Sequence, residues 1–110
     1  MPKRKVTNKR PEKIQGLLEK VKAAVNSGEY FDMTHAVVRG VERNITRMEY
    51  EYVLLNGFHE KSKDEYKEQY KSWNYAIRGK TIDKRNLRVA VSFDENDLLI
   101  ITVIDLDMED

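Results

Sequence analysis

Apolar residues recur along this chain in two rhythms, helical before Gly57 and alternating after it. Ile14, Leu17, Leu18, Val21 and Val25 fall three or four residues apart behind Pro11, a good first-turn residue, and Asn26-Ser27-Gly28 supplies a stop. A first helix is therefore predicted from residue 11 onward. Glu29 to Met33, with a Tyr-Phe pair between two stop signals, suits a short strand. Thr34 is expected to cap a second helix running to about Arg43 and closing at Asn44, which tolerates the left-handed conformation. Thr46 and Glu49 are spaced as a capping box for a third helix that ends at Asn56-Gly57.

Beyond Gly57, Trp73, Tyr75 and Ile77 alternate with Asn74, Ala76 and Arg78, and Leu87, Val89, Val91 and Phe93 alternate with Arg88, Ala90 and Ser92. Both runs read as half-buried strands. Leu98 to Ile104 is apolar on both faces and follows the turn-forming Asp94-Glu95-Asn96-Asp97, so it is expected to be an internal strand. Residues 58 to 70 are charged and leave room for an edge strand and its turn. The predicted fold class is α+β, with helices packed on one face of a twisted, mainly antiparallel sheet of three to five strands. The other sheet face is then available as a groove. The expected organisation is a flexible basic arm over residues 1–10, a single domain over 11–104 and an acidic tail over 105–110.

Length and composition narrow the possible chemistry. A chain of 110 residues allows one small domain, burying about two-thirds of its unfolded surface, and predicts a shallow site instead of a deep cavity. With no cysteine there is no disulfide scaffold, thiolate nucleophile or cysteine-ligated zinc, and two histidines disfavour multi-histidine metal sites. No cofactor or metal is expected. No stretch approaches the roughly 18 apolar residues of a membrane span, so a soluble, cytoplasmic protein with no membrane partner is expected. The net charge of +1 hides an asymmetry: residues 1–13 carry +5, residues 94–110 carry −7, and the stretch between them +3. A basic surface is compatible with that distribution.

The second helix carries the most informative polar pattern. At 100° per residue His35, Arg39 and Arg43 share one side, while Val37, Val38 and Val41 occupy the opposite side and are expected in the core. A histidine followed by two arginines at four-residue steps can hold a phosphodiester and offer a proton-transfer group beside it. The alternative is a solvated face in which the arginines pair with Glu29, Glu42 or the acidic C-terminus. Arg78 and Arg88 form a second cationic row on the polar side of their strands, with Asn74, Ala90 and Ser92. They either meet an RNA backbone or pair with carboxylates that keep the outer face soluble. Tyr66 and Tyr70, interleaved with lysines, are candidate stackers for unpaired bases, whereas Trp73 and Tyr75 belong to the core parity. His59 is a candidate second acid or base. Asp105, Asp107 and Glu109 would line one side of an extended tail, either holding a hard cation, shielding the cationic groove or fraying. No phosphate-cradling glycine loop, nucleophile elbow, zinc-protease helix or calcium loop occurs.

Six short motifs carry a family resemblance. Met33-Thr34-His35-Ala36, Glu42-Arg43-Asn44-Ile45-Thr46 and Leu55-Asn56-Gly57 are followed in order by Tyr75-Ala76-Ile77-Arg78-Gly79, Leu87-Arg88-Val89-Ala90-Val91-Ser92 and Ile100-Ile101-Thr102-Val103. This series, over roughly residues 30 to 104, resembles the small bacterial family known as domain of unknown function 4258. That family is similar to the RelE/ParE-like toxins and, more distantly, to the barnase, EndoU and colicin ribonuclease fold. The resemblance implies helices on a twisted antiparallel sheet, metal-independent RNA cleavage in some relatives and often a neighbouring antitoxin. The family's recurrent polar positions coincide with His35, Arg43, Arg88 and Thr102, and Arg39 matches a commonly polar one. On this reading the protein is a toxin-like endoribonuclease or RNA-binding protein. His35 is its acid or base, Arg39, Arg43 and Arg88 stabilise the transition state, and Thr102 positions a phosphate oxygen. The competing expectation is a non-catalytic module whose cationic face docks an acidic partner, such as an antitoxin.

Overall fold

The computed structural model describes residues 10–95 and 97–108, and the side chain of His35 lies outside the described set. The element order is α1 (Leu17–Ser27), β1 (Tyr30–Asp32), α2 (Thr34–Glu42), α3 (Arg47–Asn56), β2 (Phe58–His59), a short 3-10 turn (Lys61–Lys63), β3 (Glu65–Lys67), β4 (Ser72–Lys80), β5 (Asn86–Asp94) and β6 (Asp97–Asp105). The protein is α+β, as its two rhythms predict. The predicted basic arm falls almost wholly on residues 1–9, outside the described residues.

The helix boundaries follow from local chemistry. α1 begins at Leu17 instead of near Pro11 because Gly16 is left-handed, at φ 63°, and breaks the helical run. The preceding segment is used for tertiary contacts: the Pro11 carbonyl accepts the Trp73 indole N–H at 2.8 Å, and the Ile14 N–H donates to the Tyr75 hydroxyl at 3.0 Å. α1 stops where Gly28 turns left-handed and Glu29 N–H reaches back to the Ala24 carbonyl. Met33, not Thr34, is the N-cap of α2. Both halves of the capping box at Thr46 and Glu49 are formed at the head of α3.

Among the described residues the sheet has six strands, in the order β1-β6-β5-β4-β2, with β3 also paired to β4. This exceeds the expected three to five because β1, β2 and β3 are two or three residues long, too short for alternation to register. β1 runs parallel to β6, and the remaining pairings are antiparallel. β6 is internal, as expected, lying between β1 and β5. Its apolar character on both faces has a geometric cause. Ala90 pairs with Thr102 while Val91 pairs with Ile100, so Ile101 is an extra residue that inverts the alternation. Leu98 and Ile100 point into the core before this bulge, and Val103 and Asp105 do so after it.

One sheet face is covered. Leu17, Val21, Tyr50, Val53 and Leu54 from α1 and α3 pack on Tyr75, Ile77, Leu87, Val89 and Val91. α2 occupies a different position, beside β6 where β1 ends: Met33 N–H donates to the Ile100 carbonyl, and the Arg43 guanidinium donates to the Val103 carbonyl. Among the described side chains of α2, a narrow stripe, Ala36 and Gly40, is buried there. Val37, Val38 and Val41 are consequently 51%, 44% and 79% exposed, contrary to the core assignment that periodicity suggests. A helix beside a sheet edge has less surface to bury than one lying across a sheet face.

The junction between α2 and α3 is fastened to the sheet by Arg85. Its guanidinium donates to the carbonyls of Arg43 and Asn44 and to the carboxylates of Glu49 and Asp105, at 2.8 to 3.1 Å. Asp105 is 4% exposed. The hydrogen bond to Asp105 raises the Arg85 pKa, so this cation stays charged. Replacing Arg85 with alanine leaves a buried carboxylate and two carbonyls without their donor, and is expected to cost about 2–4 kcal/mol. Urea unfolding measures this as a lower midpoint with an unchanged slope. Gly57→Ala is expected to destabilise by about 1–3 kcal/mol in the same measurement. A Cβ at Gly57 would lie 2.5 Å from the Arg78 carbonyl oxygen and 2.6 Å from that of Val53.

Candidate functional site

The close approach of Gly57 to β4 sets the register of β2 and of Glu60 beyond it. Phe58 lies opposite Arg78, His59 opposite Ile77, and the Glu60 N–H donates to the Ala76 carbonyl at 2.8 Å. Strand alternation then places Glu60 on the face away from the helices, the face that carries Arg78 and Arg88. Those arginines are directly opposed across β4 and β5. Like charges in that position repel, and a carboxylate between them removes the repulsion. Glu60 is that carboxylate: Oε2 accepts from Arg78 at 3.1 Å and Oε1 from the Arg88 Nε at 2.7 Å.

The electrostatics favour an ionised Glu60. The hydrogen bond from Arg88, joined by that from Arg78 and opposed by burial, holds its carboxyl below the ordinary range. Arg78 and Arg88 each contribute one nitrogen to Glu60, and a guanidinium has five N–H donors in all. Arg78, 40% exposed against 19% for Arg88, is the more open of the two to a second anion. Beside the cluster the sheet surface is low, since the residues aligned with Glu60 across β4, β5 and β6 are Ala76, Ala90 and Thr102. A backbone can lie close to a strand surface built from such small side chains.

One step further along the strands, this face opens into a concavity of about 650 Å³ lined by Tyr70, Asn74, Ser92, Leu99 and Ile101, with Met33 at the start of α2 on its rim. Tyr70 is 71% exposed. Tyr66, its companion in the stacking expectation, is on the opposite face: its ring meets Trp73 edge-on at 5.5 Å, with the Arg10 guanidinium 5.0 Å from its centroid.

Arg39, Arg43 and Arg88, expected to converge, each have a partner of their own. Arg39 pairs with Glu42 at 3.0 Å, one turn along α2, and Arg43 is committed to the Val103 carbonyl. Arg88 pairs with Glu60. Thr102 shares the open face with Arg88, in the next cross-strand row. His35 is in the first turn of α2, and its side chain lies outside the described residues. His59 lies on the helix-covered side, with Nε2 2.7 Å from Asp64 and its ring edge-on to Tyr75. Asp64 has a fully buried side chain and also receives Lys13 and the Ala76 N–H. Asp105 is sequestered by Arg85, and Asp107 accepts from the Asn86 backbone and side chain. Glu109 lies outside the described residues. Among the described residues, no three histidine or carboxylate side chains group as metal ligands.

Sequence reasoning missed Glu60 and Asn74 as site residues and Arg85 as a structural cation. The available signal for Glu60 was its position three residues beyond Gly57, but its parity is defined only once β2 is recognised. A second concavity, of about 430 Å³, lies between α2 and α3 over Asp32, Arg47 and Tyr50. Its polar groups satisfy one another. Tyr50 donates to Asp32 at 2.7 Å, Arg47 also donates to Asp32, and burial followed by the Asp32 hydrogen bond pushes the Tyr50 hydroxyl up to about 12. That phenol remains a proton donor across the physiological range.

Fold and site together define a small α+β domain with helices on one sheet face and an arginine–carboxylate cluster on the other. The chain belongs to the family described as domain of unknown function (DUF4258), whose model matches residues 33–105. The match runs from the cap of α2 to the end of β6 and includes Glu60, Arg78, Arg88 and the concavity. No curated protein matches the chain. Among the described residues, no helix is long and apolar enough to cross a membrane.

The depressed Glu60 pKa has a stability consequence. A carboxyl whose folded value is below its unfolded one contributes stability above the unfolded value, and loses it as the pH falls through the folded value. Thermal unfolding of wild type and Glu60→Gln is therefore expected to show a constant difference at neutral pH that narrows as the pH falls below the ordinary value of 4.5. A difference independent of pH would contradict the ion pairing.

Proposed function

We propose that the open sheet face is an RNA phosphodiester site and that the protein is a toxin-like, metal-independent endoribonuclease. The supporting observation is Glu60 held between Arg78 and Arg88 on the sheet face away from the helices, in line with the small side chains of Ala76 and Ala90. Glu60 would accept the proton of a ribose 2′-hydroxyl. The 2′-oxygen would form a bond to the adjacent phosphorus while the bond to the 5′-oxygen breaks, giving a 2′,3′-cyclic phosphate and a 5′-oxyanion that takes a proton from water to become a 5′-hydroxyl. Arg78 and Arg88 would hold the non-bridging oxygens as charge builds on them. An arriving phosphate competes with Glu60 for the guanidinium donors, which raises the basicity of the carboxylate at the moment it is needed.

A sheet with helices on one face and a cationic cluster on the other supports the proposed kinship with the RelE/ParE-like toxins and the barnase, EndoU and colicin ribonuclease fold. Within this reading Thr102 stands in the row beside the cluster, and His35 is retained as a proton-transfer candidate from the sequence. Arg39 and Arg43, on α2, are likewise retained from the sequence as candidates for holding the phosphate. The second reading, a binding module for an acidic protein such as an antitoxin, is favoured by the fact that the seat between the arginines already accepts a carboxylate.

Incubating end-labelled, structured RNA with the purified protein in EDTA tests the proposal. Wild type is expected to cleave. Glu60→Gln is expected to lower the rate by about 10²–10⁴-fold and Arg88→Ala by about 10²–10³-fold, both with the fold retained by circular dichroism. His35→Ala in the same gel reads whether the first turn of α2 contributes a proton. Cleavage undiminished in Glu60→Gln would eliminate Glu60 as the base. Intact RNA in every lane, with RNA still retained by wild type, would leave the binding reading.

A further inference from the structure

The concavity next to the Glu60 cluster contains groups that the phosphate chemistry does not use. Tyr70 is 71% exposed there, and Asn74 lines the same concavity together with the apolar Leu99 and Ile101. Among the described residues neither the Asn74 amide nor the Tyr70 hydroxyl has a hydrogen-bond partner. A half-buried amide over an apolar floor is costly to leave unpaired, so such groups usually serve a ligand or water. Ser92, which lines the same concavity, does not supply the missing bond, because its hydroxyl donates to the Trp73 carbonyl at 2.8 Å.

The position of this concavity relative to the cluster is informative. Asn74 is two residues before Ala76 on β4, and Ala76 is the partner of Glu60. Two strand residues span about 7 Å, the reach of one nucleotide along an extended chain. From these observations we infer that the concavity is a nucleobase subsite, which takes one unpaired base flanking the phosphate held by Arg78 and Arg88. Tyr70 stacks on the base and Asn74 reads its edge. The inference rests on the RNA reading of the neighbouring cluster. Side by side, the donor and acceptor of an asparagine amide match the N6/N7 edge of adenine, so adenine is the best-fitting base. Tyr66, on the opposite face, takes no part.

Binding of uncleavable 2′-O-methyl hexanucleotides, followed by fluorescence anisotropy, tests this without depending on catalysis. The probes are an all-adenine oligomer, an all-uracil oligomer and an abasic oligomer with the same phosphates. Wild type is expected to bind the adenine oligomer about 5- to 100-fold more tightly than the abasic one, the range that stacking on one aromatic ring supplies. Tyr70→Ala should reduce that ratio to within about twofold while leaving abasic binding unchanged, and Tyr70→Phe should restore it. Asn74→Ala should remove the preference for adenine over uracil, and Tyr66→Ala should change nothing. Equal binding of base-bearing and abasic oligomers by wild type would overturn the subsite and leave the phosphate reading standing. A base preference that survives Tyr70→Ala would also overturn it. Failure of all three oligomers to bind would overturn both.

Discussion

Two guanidinium groups directly opposed on neighbouring strands repel each other unless an anion lies between them, and Arg78 and Arg88 are such a pair. The route of the chain after α3 answers that requirement. Gly57, without a Cβ, lets the helix end touch β4, and the next three residues carry Glu60 to the arginines. Because the carboxylate is delivered from the edge of the sheet, the cluster is half-buried and opens to solvent chiefly through Arg78. An arginine pair neutralised from below by a core carboxylate would have stabilised the sheet equally well and offered nothing to a ligand.

The exposed edges of the sheet are managed by unequal means. β4 is covered by two very short strands, separated by the 3-10 turn, so its edge is never presented as a long template for another chain. β6 is covered first by β1 and then by α2, whose Arg43 takes up the Val103 carbonyl. This arrangement uses Arg43 and Arg85 as hydrogen-bond donors to backbone. The cost is that α2 leaves three valines in solvent, since its contact stripe is reduced to Ala36 and Gly40.

The two sheet faces divide the work. The helix-covered face buries aliphatic and aromatic side chains and holds the Asp64 cluster, where Lys13, His59 and the Ala76 N–H satisfy one buried carboxylate. The open face holds Glu60 through the same residue, since the Ala76 carbonyl receives the Glu60 N–H. One residue of β4 thus links the carboxylate of Asp64 to the one held between Arg78 and Arg88. The open face carries the small side chains of Ala76 and Ala90 beside the cluster and gains depth towards Asn74.

Much of this architecture was legible in the residues themselves. Capping at Thr46 and Glu49, stops at Gly28 and Gly57, and alternation in Trp73–Arg78 and Leu87–Phe93 are local signals, because each depends on backbone chemistry within one turn or one strand. The cationic row of Arg78 and Arg88 was visible for the same reason. What the residues could not disclose by themselves was anything set by pairing across the chain. The partnership of Glu60 with two arginines, 18 and 28 residues away, needs a register that two-residue strands do not announce. The bulge at Ile101, which turns Asp105 inward to Arg85, is defined only against β5. The placement of α2 beside the sheet, which exposes Val37 and Val41, depends on where β1 stops. Amphipathic periodicity determines which side of an element differs from the other, and only tertiary packing decides which neighbour, or solvent, that side meets.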